Sequence, residues 1–312
     1  MFEIVFLGTS ASAPSVERGL PAAMVIHRDQ RILVDCGEGT QRQLLKSGLG
    51  FKRIDKVLLT HGHLDHILGL GGLISTFSRW EAIEQFTIYG GHWAIERVRA
   101  LMDVVLRSGE ARMDVTYVEI EPGPIWTDES MAISAIPVTH RGPGCFGFVF
   151  QERAHRPFLV EKAEALGVPA GPERRLLVEG QPIELANGRV VHPEEVLGEP
   201  VPGTKLVYIG DAGRVDDLVD AVRGADALVI EATYMEVEAD MARQFGHITA
   251  AQAATLAREA DAKCLFLVHI SRRYSERMIL GEARPIFANA IVPRDLDHYR
   301  VLRGGCEAVE AS

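Results

Sequence analysis

The sequence is short of basic charge. Its 312 residues contain 33 lysines and arginines against 43 aspartates and glutamates, and the formal net charge is −10. Because phosphate recognition depends on neutralisation by lysine and arginine, this balance argues against a general nucleic-acid-binding surface. A nucleic-acid substrate would require a local basic patch or bound divalent cations.

Cysteine and long apolar runs are also scarce. The four cysteines are far apart and form no CxxC motif, so we expect them to be reduced and mostly buried: Cys36, Cys145, Cys264 and Cys306. The apolar run in the first residues, MFEIVFLG, is too short for export or for a membrane span, and it carries Glu3 where a signal peptide would carry positive charge. These absences predict a cytoplasmic protein without a membrane partner.

The composition that is present is ordinary for a soluble enzyme, with 47% hydrophobic and 24% charged residues. The chain is long enough to bury most of its apolar surface in one large α/β domain or two small ones. Short apolar segments that predict strands alternate with helical stretches. Consecutive predicted strands at 115–120, 131–138 and 146–150 favour stacked sheets flanked by helices over one parallel sheet.

The stretch 54–73, IDKVLLTHGHLDHILGLGGL, carries most of the chemistry. Its apolar start predicts a buried strand that ends just before His61. His61, His63, Asp65 and His66 follow within six residues, and imidazole and carboxylate are ligands that zinc and similar cations favour. A histidine pair in a loop is often only a solvated turn, but three histidines and an aspartate in this order after a strand predict a metal site.

The HxHxDH pattern at a strand end resembles the signature of the metallo-β-lactamase superfamily of two-metal hydrolases. Four further segments resemble the ribonuclease Z (tRNase Z) family, and they occur in order along nearly the whole chain: FLGTSASAPSVERG, DCGEGTQRQL, GHITAAQAA and VHISRRYS. The resemblance implies an α/β (α+β) fold of the metallo-β-lactamase αββα sandwich type, with residues 1–312 forming a single domain.

The resemblance also implies two zinc ions per subunit, with manganese or another divalent cation as the alternative. The implied ligands are His61, His63 and His140 for one ion, Asp65, His66 and His269 for the other, and Asp211 as a bridge between them. Residues 140, 211 and 269 each follow a separate predicted strand, which independently supports one shared cavity. An aspartate placed like Asp211 is, however, often only a turn former.

The implied reaction is endonucleolytic removal of the 3′ trailer from precursor tRNA, which leaves a 3′ hydroxyl on the tRNA and a 5′ phosphate on the trailer. A hydroxide activated by the two metals would attack phosphorus in line, and Asp65 would orient it or take its proton. His247 would protonate the leaving 3′ oxygen. Glu231, after another predicted strand, would orient a neighbouring group or cap a helix.

Three arginines are candidate phosphate ligands in the main part of the chain. Arg273 would bind a substrate phosphate bidentately, and a structural ion pair is the equal alternative. Arg18 is a weaker candidate of the same kind. Arg141 could face a phosphate or lie in a solvated loop.

Residues 151–199 differ in composition from the rest, because prolines, glycines and charges interrupt any long periodic element. Within them, GVPAGPERRLLVEGQPI resembles the exosite arm by which bacterial ribonuclease Z grips the tRNA elbow. Arg174 and Arg175 would contact the RNA backbone. The alternative is a flexible surface loop, and the many glutamates leave no basic excess. Relatives are typically homodimers, so a homodimer is implied.

The chain departs from the family pattern at several places. Leu64 and Gly71 stand where many members have glycine and proline, DAG replaces the more usual DT at Asp211, and RGPGCFGF follows His140 where a tyrosine-bearing GYR is common. None of these changes removes a ligand, but they leave substrate preference and CCA discrimination open.

Two other functions stay open. The nearest is a general two-metal phosphodiesterase or another hydrolase of the same fold, such as a thioesterase. The other is a catalytically silent RNA-binding module that keeps zinc for structure. Structural zinc sites are usually closed by four protein ligands, often including cysteine, and this set has no nearby cysteine. His247 also counts against a silent protein.

Overall fold

A computed structural model describes residues 1–80, 83–106 and 113–309 of the chain. The strands are β1 (Phe2–Gly8), β2 (Ala22–His27), β3 (Gln30–Val34), β4 (Ile54–Leu58), β5 (Gln85–Gly90), β6 (Asp114–Glu119), β7 (Gly123–Thr127), β8 (Met131–Pro137), β9 (Phe146–Glu152), β10 (Ile183–Glu184), β11 (Val190–Val191), β12 (Lys205–Tyr208), β13 (Ala227–Glu231), β14 (Leu265–Val268), β15 (Ala290–Ile291), β16 (His298–Leu302) and β17 (Gly305–Ala308).

The helices are α1 (Thr40–Lys46), α2 (Leu64–Ile67), α3 (Gly69–Trp80), α4 (His92–Val105), α5 (Val160–Ala165), α6 (Pro172–Val178), α7 (Pro193–Val196), α8 (Val219–Val222), α9 (Ala239–Phe245), α10 (Ala250–Glu259) and α11 (Glu276–Ala283), with a 3₁₀ turn at Glu236–Glu238. These elements form two compact units, one of Met1–Gln151 with Thr204–Ser312 and one of Glu152–Gly203. No helix within the described ranges has both the length and the apolar composition that crossing a membrane requires.

Two mixed sheets make up the larger unit. The first has the order β17-β16-β1-β2-β3-β4-β5-β6, in which β3 to β6 run parallel and the remaining neighbours run antiparallel. The second has the order β15-β14-β13-β12-β9-β8-β7, with β12 to β15 parallel. The parallel strands of each sheet therefore send their carboxyl ends to a common edge.

The two sheets pack face to face, with helices on their outer faces. Side chains along β1 alternate: Ile4 and Phe6 enter the core between the sheets, while Val5 and Leu7 enter the core under α1, α3 and α4. Phe6 meets Phe266 of the second sheet with ring centroids 5.2 Å apart. Helices α8, α10 and α11 cover the other outer face. The αββα sandwich implied by the sequence is confirmed.

The smaller unit, Glu152–Gly203, has a hydrophobic core of its own. Helices α5 to α7 and the β10–β11 pair bury a small group of apolar side chains: Ala163, Val168, Leu177, Ile183, Val191 and Val196. Two of the prolines that interrupt the sequence pattern, Pro172 and Pro193, occupy the first positions of α6 and α7. Proline suits that position because its ring presets φ and its missing N–H has no partner in a first helical turn.

The structure differs from the sequence-based expectations in several elements of the larger unit. Strand β7 and helices α2, α9 and α11 were not predicted. The expectation that all four cysteines are reduced is wrong for one pair. Cys264 and Cys306 form a disulfide between the start of β14 and β17, so it joins the two sheets. Cys36 and Cys145 are free and buried, as expected.

Candidate metal centre

The seven side chains predicted as metal ligands lie together at the edge where several strands end. His61 follows β4, His140 follows β8, Asp211 follows β12 and His269 follows β14. The short helix α2 supplies the others, since it starts after His63 and contains Asp65 and His66 in one turn. His269 has a positive φ of 55°, which is uncommon for a residue other than glycine and typical of functional sites.

Three histidines and one carboxylate oxygen form the first group. Nε2 of His61 lies 2.8 Å from Nδ1 of His63 and 3.7 Å from Oδ2 of Asp211. Nε2 of His140 lies 3.3 Å from the same His63 nitrogen and 3.6 Å from the same Asp211 oxygen. All four ligand atoms lie within 4.8 Å of one another.

The other oxygen of Asp211 faces a second group. Oδ1 of Asp211 lies 3.4 Å from Nε2 of His66 and 3.4 Å from Nε2 of His269. Oδ2 of Asp65 lies 3.7 Å and 3.5 Å from the same two nitrogens. Asp211 therefore stands between the two groups, with one carboxylate oxygen directed to each.

The chemistry of these atoms fits two cations. His66 Nε2, His269 Nε2 and Asp211 Oδ1 are buried and make no hydrogen bond to any described residue, although an unpaired buried polar atom is costly. Metal–ligand bonds of about 2.1 Å in tetrahedral geometry place ligand atoms about 3.4 Å apart, which matches most of these distances. The residues present would therefore hold a divalent cation in each group.

Each histidine ligand has one ring nitrogen that faces away from the ligand groups, and the hydrogen bond made by that nitrogen determines which nitrogen can bind a metal. His66 Nδ1 lies 2.8 Å from Oδ2 of Asp35, a carboxylate that can only accept, so Nδ1 carries the proton and Nε2 is left as a ligand. His140 Nδ1 likewise donates to the carbonyl oxygen of Gly246 at 2.6 Å. This is the arrangement by which outer hydrogen bonds orient metal-binding histidines.

Two threonine hydroxyls fix the remaining tautomers. The Thr60 hydroxyl donates to Asp35 at 2.8 Å, so it accepts from Nδ1 of His61 at 3.0 Å. The Thr233 hydroxyl can donate to the carbonyl oxygen of His269 at 3.2 Å and accept from its Nδ1 at 2.7 Å. In both histidines Nε2 is then free to face Asp211.

Burial and neighbouring charges also set the protonation of the cluster. Burial lowers the pKa of His61 well below its ordinary value and lowers that of His63 to about 4, which keeps both rings neutral as metal binding requires. Burial alone would raise the pKa of Asp65, but the neighbouring imidazoles of His269, 3.5 Å away, and His66 lower it to about 2. Asp65 is therefore a carboxylate at neutral pH.

His247 lies beside the cluster and is held by Glu231. Its Nδ1 donates to the Glu231 carboxylate at 3.0 and 3.1 Å, and its ring stacks on His269 with centroids 5.4 Å apart. Burial lowers the pKa of His247, but the Glu231 charge and hydrogen bond outweigh burial and raise it to about 9. Glu231 is fully buried and also accepts from the amide of Ala212. Two roles were predicted for Glu231, orientation of a neighbouring group or capping of a helix. This geometry favours the first, with His247 as the oriented group.

Trp93 of α4 packs against the loops that carry two of the histidines. Its ring meets His63 edge-on at 5.3 Å. A Cβ added to Gly62 or Gly142 would lie 3.0 or 2.7 Å from the indole, so both loops need glycine there. The Arg97 guanidinium covers the same indole at 5.1 Å and donates to the carbonyl oxygen of Gly62 at 2.8 Å.

A cavity of about 620 Å³ opens over the cluster, and arginines are prominent among the residues that line it: Arg97, Arg141, Arg272 and Arg273. Arg273 also donates to Glu238 at 3.4 Å, so both interpretations of this residue have a structural basis and its phosphate-binding role stays a prediction. Arg18 instead donates to Thr9 and to the carbonyl oxygen of Pro293, and it lines a different cavity.

The two arginines predicted to contact RNA in the smaller unit make contacts within that unit. Arg174 bonds to the carbonyl oxygens of Val168 and Pro169, and its guanidinium lies 5.8 Å from the ring centroid of Phe158. Arg175 is exposed and forms an ion pair with Glu179 at 2.6 Å. Their contact with RNA stays a prediction.

The supporting residues Asp35, Thr60, Thr233 and Trp93 were not identified from the sequence as acting on the ligands. For Asp35 a signal existed, because it begins DCGEGTQRQL, one of the segments that resemble the ribonuclease Z family. Its positive φ of 56° marks the same kind of strand-end turn as at His269. Trp93 lies on a helix and carried no such signal.

Comparisons with known proteins agree with this geometry. Residues 2–155 match the family model described as Anti-Pycsar protein Apyc1, and residues 174–270 match the Beta-lactamase superfamily domain. The crystal structure of human tRNase Z, short form, has a TM-score of 0.64 and 26% identity, and covers 96% of this chain and 99% of its own. The metallo-β-lactamase fold protein YhfI from Bacillus subtilis, with a TM-score of 0.67, 17% identity and coverage of 95% and 98%, shares the fold.

Curated relatives are more similar in sequence. Ribonuclease Z of Bradyrhizobium diazoefficiens is 45% identical over 298 residues, which cover 96% of this chain and 99% of the relative. Ribonuclease Z of Archaeoglobus fulgidus is 38% identical over 298 residues, with 95% and 96% covered. The identity and coverage show that the chain belongs to the ribonuclease Z family, the endoribonucleases of the metallo-β-lactamase superfamily.

Proposed function

We propose that this endoribonuclease removes the 3′ trailer from precursor tRNA and leaves a 3′ hydroxyl on the tRNA. The observation that carries the proposal is the joint placement of two ligand groups, shared by Asp211, beside a histidine that a buried glutamate keeps protonated. The family membership supplies the substrate class, because its members are named for cleaving RNA.

We assign one cation to His61, His63, His140 and Asp211 and the other to Asp65, His66, His269 and Asp211. Imidazole-rich sites with one or two carboxylates suit zinc, so two zinc ions per subunit are proposed, with manganese as the alternative. Such a pair of cations, when bound, lowers the pKa of a water molecule and stabilises charge on both the attacking and the leaving oxygens of a phosphodiester.

Asp65 and His247 would move the protons. Asp65 is ionised and more exposed than Asp211, so it can orient the attacking water or accept its proton. His247 donates its Nδ1 proton to Glu231, which leaves Nε2 as the atom that gives a proton to the leaving 3′ oxygen. With a pKa raised to about 9, His247 carries that proton at neutral pH.

Cleavage of an end-labelled precursor tRNA with a 3′ trailer tests the proposal. Wild-type protein with zinc or manganese should cut just past the discriminator base, and Asp65→Ala should abolish cutting. His247→Ala should slow it by about 10² to 10⁴-fold. The same His247→Ala protein should lose much less activity on bis-p-nitrophenyl phosphate, because nitrophenolate leaves without a proton.

His92→Ala is the matched control, because His92 is exposed and pairs with Glu119 away from the cavity. It should retain wild-type cleavage. If wild-type protein leaves the precursor whole but hydrolyses the small diester, the tRNA proposal is wrong and a general two-metal phosphodiesterase replaces it.

We further propose a homodimer acting in the cytoplasm, where precursor tRNA would be met. The homodimer rests on the family resemblance alone, and light scattering coupled to size exclusion would test it: a monomeric mass at micromolar concentration would rule it out.

A further inference from the structure

Because the net charge is −10, RNA binding requires a local group of basic side chains. The inference below rests on the proposed function, in which precursor tRNA is the substrate. Residues 271–294 contain five arginines and only two glutamates, so this segment alone carries a net charge of +3: Arg272, Arg273, Arg277, Arg284 and Arg294 against Glu276 and Glu282. Arg272 and Arg273 line the metal cavity. The basic segment therefore begins at the site where RNA would be cut.

Arg277 of α11 and Arg284, which directly follows the last residue of this helix, lie on the same side of it. Arg277, Gly281 and Arg284 follow the i, i+4, i+7 spacing that places residues on one side of a helix. These three residues line a shallow cavity of about 820 Å³ together with Glu276, which pairs with Arg294, and with Leu280 and Pro285. We call the surface formed by Arg277, Gly281 and Arg284 the α11 arginine face.

The guanidinium groups of this face retain free donors. Arg277 is exposed and makes no hydrogen bond or ion pair with another described residue. Arg284 donates only its Nε proton, to the carbonyl oxygen of Ala290 at 3.1 Å, which leaves its terminal NH₂ groups unengaged by described residues. An arginine with free NH₂ groups is suited to phosphate oxygens.

Gly281 sits between the two arginines without a packing reason. It is exposed in the interior of α11, and nothing lies within 4 Å of the position that a Cβ would take. Glycine is less favourable than alanine inside a helix. Its presence leaves a gap between the arginines through which a sugar–phosphate backbone can approach the helix closely.

The α11 arginine face is also near the cavity along the chain. Arg277 is four positions after Arg273, which lies at the cavity, and this stretch of chain spans at most about 14 Å. The helix of eight residues adds about 12 Å. One RNA could therefore reach both the cavity and the α11 arginine face.

The smaller unit offers less free positive charge. Residues 152–203 contain six lysines and arginines against nine glutamates. Arg174, Arg175 and Arg189 form ion pairs with Glu164, Glu179 and Glu195 of the same unit. Charge complementarity to RNA thus favours the α11 arginine face over these arginines.

We propose that the α11 arginine face binds backbone phosphates of precursor tRNA next to the cleavage site. Arg277 and Arg284 each contact a phosphate, and Gly281 allows the backbone to pass between them. The contacts are electrostatic and independent of base sequence, so they contribute to affinity and to its salt dependence.

The test compares wild-type protein with Arg277→Gln/Arg284→Gln in single-turnover cleavage of precursor tRNA at 50 to 200 mM KCl. The variant should need more enzyme for half-maximal rate at low salt, with an unchanged maximal rate. Each lost phosphate contact lowers the salt slope by about 0.7 to 0.9, so the wild-type affinity should fall about tenfold more than that of the variant over this range. Hydrolysis of bis-p-nitrophenyl phosphate should not change, and the melting temperature should fall only by the small amount that loss of the Arg284–Ala290 hydrogen bond costs.

Arg28→Gln/Arg53→Gln is the matched control. Both arginines are exposed and lie in turns before β3 and β4, at the opposite ends of those strands from the metal cluster. The control should keep the wild-type salt slope. Gly281→Ala should keep or raise the melting temperature yet weaken RNA binding, a combination that a purely structural glycine would not give.

The outcomes separate this inference from the proposed function. If wild-type protein cleaves precursor tRNA and the double variant has the same salt slope and the same half-maximal concentration, the α11 arginine face does not bind RNA although the function stands. If wild-type protein neither cleaves nor binds the precursor, the proposed function and this inference both fail. If Gly281→Ala binds RNA as tightly as wild type, the sugar–phosphate backbone does not approach the helix closely at that position.

Discussion

The buried carboxylate of Asp35 should control metal binding without touching a metal. Asp35 accepts three hydrogen bonds, from the amide and the hydroxyl of Thr60 and from Nδ1 of His66, each at 2.8 Å. Asp35→Asn keeps the shape of the side chain but replaces the oxygen that faces His66 and the Thr60 hydroxyl with an NH₂ group. That group cannot accept from either donor.

The expected consequence is a change of tautomer at His66. With an NH₂ group opposite, Nδ1 becomes the acceptor and the proton moves to Nε2, the atom that faces Asp211 and Asp65. A protonated Nε2 cannot bind a metal. Loss of an outer hydrogen bond of this kind costs about 10- to 100-fold in metal affinity, which corresponds to about 1.4 to 2.8 kcal/mol.

Competition with a chromophoric chelator would measure zinc affinity, and elemental analysis would count the ions retained. One of two equivalents should weaken in Asp35→Asn, namely the one assigned to Asp65, His66 and His269. Asp226→Asn is the matched control, because Asp226 is also buried and accepts from the amides of Lys205 and Gly304 at the other end of the sheet. Both variants should lose about 1 to 3 kcal/mol of folding stability.

Two results would contradict a tautomer effect of Asp35 on metal binding. Asp35→Asn could bind both zinc equivalents as tightly as wild type, which would mean that the His66 tautomer is set in some other way. Alternatively, Asp226→Asn could lose the same metal affinity, which would mean that reduced stability rather than tautomer explains the effect.

Three further predictions follow from other parts of the molecule. Cys306→Ser should lower the free energy of unfolding by about 4 kcal/mol in non-reducing buffer, because the Cys264–Cys306 bond closes a loop of 42 residues. The disulfide would be contradicted if wild type and variant unfold at the same urea concentration and dithiothreitol does not change the unfolding of wild type. Trp93→Leu should weaken binding of the zinc ion assigned to His63 and His140. Tyr117→Leu should not, because it removes a ring that Arg99 of α4 covers away from these ligands. Equal cobalt spectra for wild type and both variants would exclude a role for the indole. Leu177→Ala should destabilise the smaller unit by about 2 to 5 kcal/mol and expose 152–203 to trypsin while zinc content stays constant, and resistance equal to wild type would show that this core is not needed.

The strands and the metal ligands could both be predicted from the sequence, and for the same reason. The short continuous apolar run of β1 indicates a strand buried on both faces, and HxHxDH places its ligands within six residues of one strand end. Both depend on neighbours in the chain. The unpredicted α11 has only eight residues and contains Gly281, so it gave a weaker helical pattern than the ten-residue, alanine-rich α10.

Residue patterns were sufficient to indicate the family, the αββα sandwich and the residue types able to bind metal. Which ring nitrogen is free in His66 and His269 depends on contacts between distant segments, because Asp35 is 31 residues from His66 and Thr233 is 36 residues from His269. Contacts of the same kind pair Cys264 with Cys306 and place Trp93 against the loops of His63 and His140. Pairing of neighbouring strands brings Asp35 to His66 and Thr233 to His269, and packing of the two sheets brings Cys264 to Cys306. No local pattern of residues records these contacts.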